Sequence, residues 1–176
     1  MKNVVLLAFV AAAPLGLSAA AGLEHLVTRF DGGIGVQPVL INASTFEARA
    51  NVVRGIGPGL LPWTINSLKA RLDVDGELEA HGRGLVLAGG PPIGTRADLT
   101  SVRAILFCGT STTAHVSPPG ALDLDGDFAN EGVLNSTVGP TCPTPTLLIV
   151  VGAGTDQAPF RCVAAGIPDN DDERNQ

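Results

Sequence analysis

Two short stretches carry the residues best placed to do chemistry. Asp73, Asp75 and Glu77 set a carboxylate at every second position, and Asp123, Asp125 and Asp127 repeat the pattern. Calcium is a hard cation that takes several oxygen ligands. An EF-hand would need a glutamate at the twelfth loop position, where Gly84 and Leu134 stand instead. A nonstandard calcium site using Asp73, Asp75, Asp123, Asp125 and Asp127 is therefore the metal reading. Solvated hairpin tips are the plainer one, because Asp-Gly is turn chemistry. No other cofactor is expected.

Asp75-Gly76-Glu77-Leu78-Glu79 also echoes the acidic strand of some sandwich glycosidases. That reaction needs two carboxylates of split pKa facing one cleft. Sugar clefts commonly offer aromatic platforms, and this chain has no Tyr and one Trp. A hydrolase acting on glycans or esters stays open as an alternative, with Glu77 and Glu79 its first residues to test. Leu147 to Gly154 resembles a strand entering a dinucleotide turn, but the third glycine position is Gln157 and Pro159 follows. His25, His81 and His115 are isolated, and no Gly-x-Ser-x-Gly, His-Glu-x-x-His or P-loop motif occurs. Catalytic residues are accordingly assigned to none.

Trp63 is expected as a core anchor, with a ligand platform as the alternative. Asn42-Ala43-Ser44 and Asn135-Ser136-Thr137 are glycosylation sequons, which mark surface loops. The glycine-rich segments Asp31 to Gly35 and Gly89 to Gly94 are the loops nearest to a functional reading. Their plainer role is tight turning.

Three cysteines, Cys108, Cys142 and Cys162, leave one over after pairing. Loop-closure entropy does not separate Cys108–Cys142 from Cys142–Cys162. Placement favours Cys108–Cys142: Cys108 ends a strand before Gly109, and Cys142 lies in a proline-rich loop able to adapt to disulfide geometry.

The elements that must position these residues are strands. Leu68, Ala70, Leu72 and Val74 alternate with Lys69, Arg71 and Asp73. Thr45 to Val53 alternates around Phe46, Ala48 and Ala50. Leu85 to Ala88, Val102 to Cys108 and Phe160 to Ala165 also read as strands. Leu147 to Val151 is apolar throughout, as a strand buried on both faces would be. Asp75-Gly76 and Asp125-Gly126 predict hairpins with type I′ turns. Helix periodicity is absent after the first two dozen residues. The expectation is an all-β fold, an antiparallel β-sandwich with Greek-key connections, or a closed β-barrel as the alternative.

At the N-terminus, Lys2, an apolar run from Val4 to Ala13 and Ala19-Ala20-Ala21 form an export signal over residues 1–21. The run is too short to span a membrane comfortably. One all-β domain then covers 22–168, and 169–176 is an acidic tail with little to bury. Apolar content of 45% and charged content of 16% suit a packed globule. Net charge is −6 and the arginines are scattered singly, which argues against nucleic acid and anionic lipid as partners. The location expected is extracellular.

Arg29 to Val36, Val53-Arg54-Gly55, Pro58-Gly59, Pro62-Trp63 and Leu68-Lys69-Ala70 resemble stretches of a group of small secreted proteins of bacteria and some fungi. Gly82 to Leu85, Leu87 to Gly90, Phe107-Cys108-Gly109 and Ala164 to Pro168 extend the resemblance over nearly the whole exported chain. No activity is assigned to that group, so the resemblance implies secretion and a single domain and brings no catalytic residue. The leading expectation is a secreted, non-catalytic binding or envelope-associated structural module. A hydrolase assembled from distant carboxylates and a calcium-dependent binder are the alternatives.

Overall fold

The computed structural model describes residues 26–169. The expected signal (1–21), His25 and residues 170–176 of the acidic tail lie outside the described residues. Asp169, expected to begin that tail, donates its backbone N–H to Arg29 O at 3.0 Å.

The chain opens with strands β1 (Leu26–Gly35), β2 (Val39–Ile41), β3 (Ala48–Ala50), β4 (Gly57–Pro58) and β5 (Trp63–Thr64). Next come β6 (Ser67–Asp73), β7 (Glu77–Arg83), β8 (Val86–Leu87), β9 (Ser101–Phe107) and β10 (His115–Val116). The last are β11 (Gly120–Ala121), β12 (Phe128–Val133), β13 (Thr146–Val151) and β14 (Arg161–Pro168). The protein is all-β. Among the described residues no helix is long and apolar enough to cross a membrane.

Ten strands form one sheet in the order β10-β9-β13-β14-β1-β6-β7-β12, with β11 on β9 and β4 on β14. Pairing is antiparallel except for β4 with β14. The first and last strands are neighbours, so the non-sequential order needs crossing connections of the Greek-key kind. The sheet curls like half a barrel, and its two halves face each other as in a sandwich. Phe30, Leu68, Leu72 and Leu78 on one half meet Val102, Leu106, Leu147 and Ile149 on the other in a single core.

Alternation explains most of this. Leu68, Ala70 and Leu72 point inward while Lys69 and Arg71 face solvent. β13 is buried on both faces, as its apolar sequence predicts. Its second face packs Leu148 and Val150 with Ile105, Phe107, Val36 and Cys162 in a smaller cluster outside the curl.

Four details differ from the sequence expectation. Val74 does not continue β6 inward; it sits exposed in the turn. Thr45 to Val53 is strand only over Ala48–Ala50, because Phe46 adopts φ 56° and ends the alternation. Asp31 to Gly35 is not a loop but part of β1, with a register shift between Phe30 and Gly33. The two Asp-Gly turns are not type I′. Only Gly76 (φ 80°) and Gly126 (φ 81°) are left-handed, and each donates N–H three residues back, to Asp73 O and Asp123 O. Type I′ needs positive φ at both central positions. Arg54-Gly55 meets that requirement instead, with φ 51° and 81° between bridged Val53 and Ile56.

Candidate functional site

The structure does not bring the two acidic hairpins together. Asp73 to Glu77 precede β7, whereas the 123–127 turn packs past its other end, where Leu85 N–H donates to Gly126 O at 2.8 Å. A seven-residue strand separates them by about 20 Å. Asp123 Oδ1 accepts the backbone N–H of Asp125 and of Asp127, each at 2.9 Å. Asp127 Oδ1 accepts from Gly84 N–H at 2.9 Å. These carboxylates order their own turn. Among the described residues no three His, Cys, Asp or Glu side chains are grouped to hold a metal ion.

Glu77 and Glu79 alternate with inward Leu78, so both lie on the outer face of the sheet. Glu79 stands opposite Arg71 on one side and Glu131 on the other. Arg71 Nη2 meets Glu79 Oε1 at 2.7 Å, and that hydrogen-bonded carboxylate raises the guanidinium pKa above its ordinary value. Lys69 pairs with Asp31 at 3.3 Å, and His81 Nε2 lies 3.6 Å from Glu131 Oε1. The depression over this strip holds about 160 Å³. It is a solvated face laced by exposed ion pairs, each of small energetic weight.

A serine and a histidine also meet, which sequence spacing did not reveal. His115 Nδ1 lies 2.8 Å from Ser136 Oγ and 3.3 Å from Ser136 O. Ser136 Oγ is 3.3 Å from Asn135 Oδ1. With the proton on Nδ1, every donor in this chain of contacts finds an acceptor, and the serine hydroxyl is an acceptor from the ring. The contact ties β10 to the segment after β12. Asn135 Oδ1 further accepts Val116 N–H at 2.8 Å, and Asn42 Oδ1 accepts Ser44 N–H at 2.9 Å, so both sequon asparagines shape loops.

The apolar surface is where the structure departs most from an ordinary exterior. Six of the twelve exposed large apolar side chains among the described residues fall between positions 39 and 60: Val39, Leu40, Ile41, Phe46, Val52 and Leu60. β2 and β3 pair only with each other, and every residue in them is exposed. Phe46, at the tip of this arm, is 81% exposed in a left-handed conformation that a bulky residue rarely takes. Leu60 is 86% exposed.

Two depressions adjoin at Gly59, Leu60 and Arg161. One, of about 350 Å³, lies between the arm (Val39, Ala48, Ala50) and Pro58. The other, of about 250 Å³, is walled by Leu61, Trp63, Leu87, Leu99, Val151 and Val163. Trp63 is the core anchor expected, at 5% exposure. Its backbone N–H donates to Val36 O at 2.9 Å, and it pairs with Leu87 of β8. Gly59 runs along the indole, where an added β-carbon would stand 2.8 Å from Nε1. The Gly89 to Gly94 loop returns the chain beside this wall: Ala88 N–H donates to Pro62 O and Gly94 N–H to Leu87 O. Of the two glycine-rich segments, this is the one that adjoins the apolar surface.

The expected disulfide joins Cys108 to Cys142, and Cys162 is free and buried. No family model matches the chain, and neither curated proteins nor solved structures provide a match.

Proposed function

We propose that the chain is an exported, non-catalytic binding module whose recognition surface is the apolar face built from residues 39–61 and the 87–99 loop. The observation that carries this reading is the meeting of two apolar depressions at Leu60, in the stretch that holds six of the twelve exposed large apolar side chains among the described residues. Contiguous exposed apolar surface marks interaction sites. The Cys108–Cys142 bridge supports an oxidising compartment and hence export.

Thermal unfolding with a ligand panel of divalent cations, glycans, peptides and amphiphiles tests this, using the wild type beside Leu60→Asp. A ligand at a hundredfold excess over its dissociation constant stabilises the native state by about 2.7 kcal/mol. The expected ligand raises the wild-type midpoint and leaves the variant's unchanged. A shift that survives Leu60→Asp overturns the assigned surface. Stabilisation by calcium transfers the reading to the Asp-Gly turns. Turnover of a glycan or ester that is lost on substituting Glu77 or Glu79 overturns the non-catalytic reading.

A further inference from the structure

The charge at this apolar surface has the opposite sign to the net charge of the chain. The chain carries a net −6, yet the charged side chains lining the first depression are cations alone, Arg49 and Arg161; Arg161 reaches the second only with its apolar stem, since that wall exposes no polar atom. Among the described residues no carboxylate lies within ion-pair distance of Arg161. Its guanidinium lies against Gly57, where an added β-carbon would stand 2.8 Å from Nη1. Arg161, with no carboxylate partner among the described residues, therefore stands at the junction of the two depressions.

We propose that this site takes a free anionic amphiphile, a molecule with one carboxylate-like head and a short apolar body. The proposal rests on the binding-surface reading above and specifies its ligand. The head pairs with Arg161, whose planar fork matches a carboxylate in bidentate geometry. The body lies along Leu61, Leu99 and the indole of Trp63. A cavity of 150 Å³ lined by aliphatic and aromatic side chains accommodates a benzene ring. The 250 Å³ here corresponds to about eight groups of water or methylene size. That is the bulk of a medium-length alkyl chain and far short of a two-chain lipid. Burying the body removes apolar area from water, while the arginine selects the sign of the head.

Trp63 is the chain's sole tryptophan and there is no tyrosine, so intrinsic emission reports on this wall. The experiment titrates the full exported protein with sodium decanoate and with 1-decanol, both below aggregation, and follows Trp63 emission. Backbone NMR shifts at 59–63 and 97–99 serve as a second readout. Decanoate is expected to saturate one site. Arg161→Gln is expected to weaken decanoate about tenfold, the scale of one charge-assisted hydrogen bond, and to leave decanol within about twofold. Absence of saturable change in both emission and NMR shifts with decanoate overturns the proposal. So does an Arg161→Gln variant that weakens both ligands equally or neither, and so does binding to phosphatidylglycerol vesicles without binding of free decanoate. If decanoate fails while another ligand in the panel stays sensitive to Leu60→Asp, the amphiphile falls and the binding surface stands. If no ligand is sensitive to Leu60→Asp, both fall.

Discussion

The Asn130 side chain on β12 donates from Nδ2 to the carbonyl oxygen of Val102 on β9 at 3.1 Å, across a seam that no ladder between those strands closes. The same nitrogen donates to Pro118 O at 3.0 Å. Asn130 is fully buried, and Gly120 of β11 lies so close that an added β-carbon would stand 2.9 Å from Nδ2. This carboxamide thus joins the two ends of the curled sheet beside the Asn135–Val116 and His115–Ser136 contacts.

Replacing Asn130 by Ala takes the carboxamide donor from Val102 O and one of two donors from Pro118 O, which keeps the Ser117 hydroxyl, and by the cost of a lost buried hydrogen bond the loss is about 1–3 kcal/mol. Asn130→Asp is expected to lose more at neutral pH, because a carboxylate there is buried and faces two acceptors. Burial raises that carboxyl's folded pKa above the unfolded value, so its penalty is absent below about pH 4 and grows as pH rises through the folded pKa. Urea unfolding of both variants at pH 4 and pH 7 checks this. Equal stability of the two at pH 7 contradicts the geometry.

The Cys108–Cys142 bridge closes a loop of 34 residues in sequence separation and spans the long connection between β9 and β13. Chain-entropy arithmetic for that length gives about 4 kcal/mol. Cys142→Ser is expected to lower unfolding free energy by that order, while Cys162→Ala leaves the bridge intact in non-reducing peptide maps. Recovery of a Cys142–Cys162 fragment from the native protein overturns the pairing.

What the sequence disclosed was local and periodic. Leu68 to Leu72 and Leu147 to Val151 could be placed because side-chain direction in a strand repeats every two residues and burial follows it. Turn type was not legible in Asp75-Gly76. The dipeptide permits a left-handed glycine, but whether Asp75 also becomes left-handed depends on the strand register around it. At Phe46 the alternation of the sequence continues, but the turn closed by its N–H on Asn42 O places its backbone outside the strand. The apolar site was the least legible. Its walls come from 59–63, 87–99, 151 and 161–163. Their meeting depends on β4 lying beside β14 and β5 beside β8, pairings that no short window encodes.

Leu60 and Trp63 are three residues apart and should respond oppositely to substitution. Trp63→Ala empties part of the core beside Leu87 and Val163, and truncations of this kind cost about 3–5 kcal/mol. Leu60→Asp removes an exposed side chain and should change stability by no more than about 0.5 kcal/mol. Chemical denaturation of the pair separates a residue kept for packing from one kept for contact. A large loss with Leu60→Asp places Leu60 in the core of the native protein and removes the recognition surface proposed for it.

Cys162 gives the fold an alkaline limit. Burial pushes its thiol from the ordinary 9.0 up to about 12. In the unfolded chain the thiol ionises near pH 9, while the native state keeps its proton. The native state therefore binds more protons over that window, and stability falls as pH rises from about 9 toward 12, by about 1.4 kcal/mol per unit. Below pH 9 the group contributes no slope. The absence of tyrosine and the scarcity of lysine leave few other groups to titrate there. Unfolding free energies of wild type and Cys162→Ala between pH 8 and 10.5 are expected to converge with a difference in slope of about that size. Parallel curves contradict the buried thiol, as does alkylation of Cys162 in the native protein at pH 8 at the rate seen in urea.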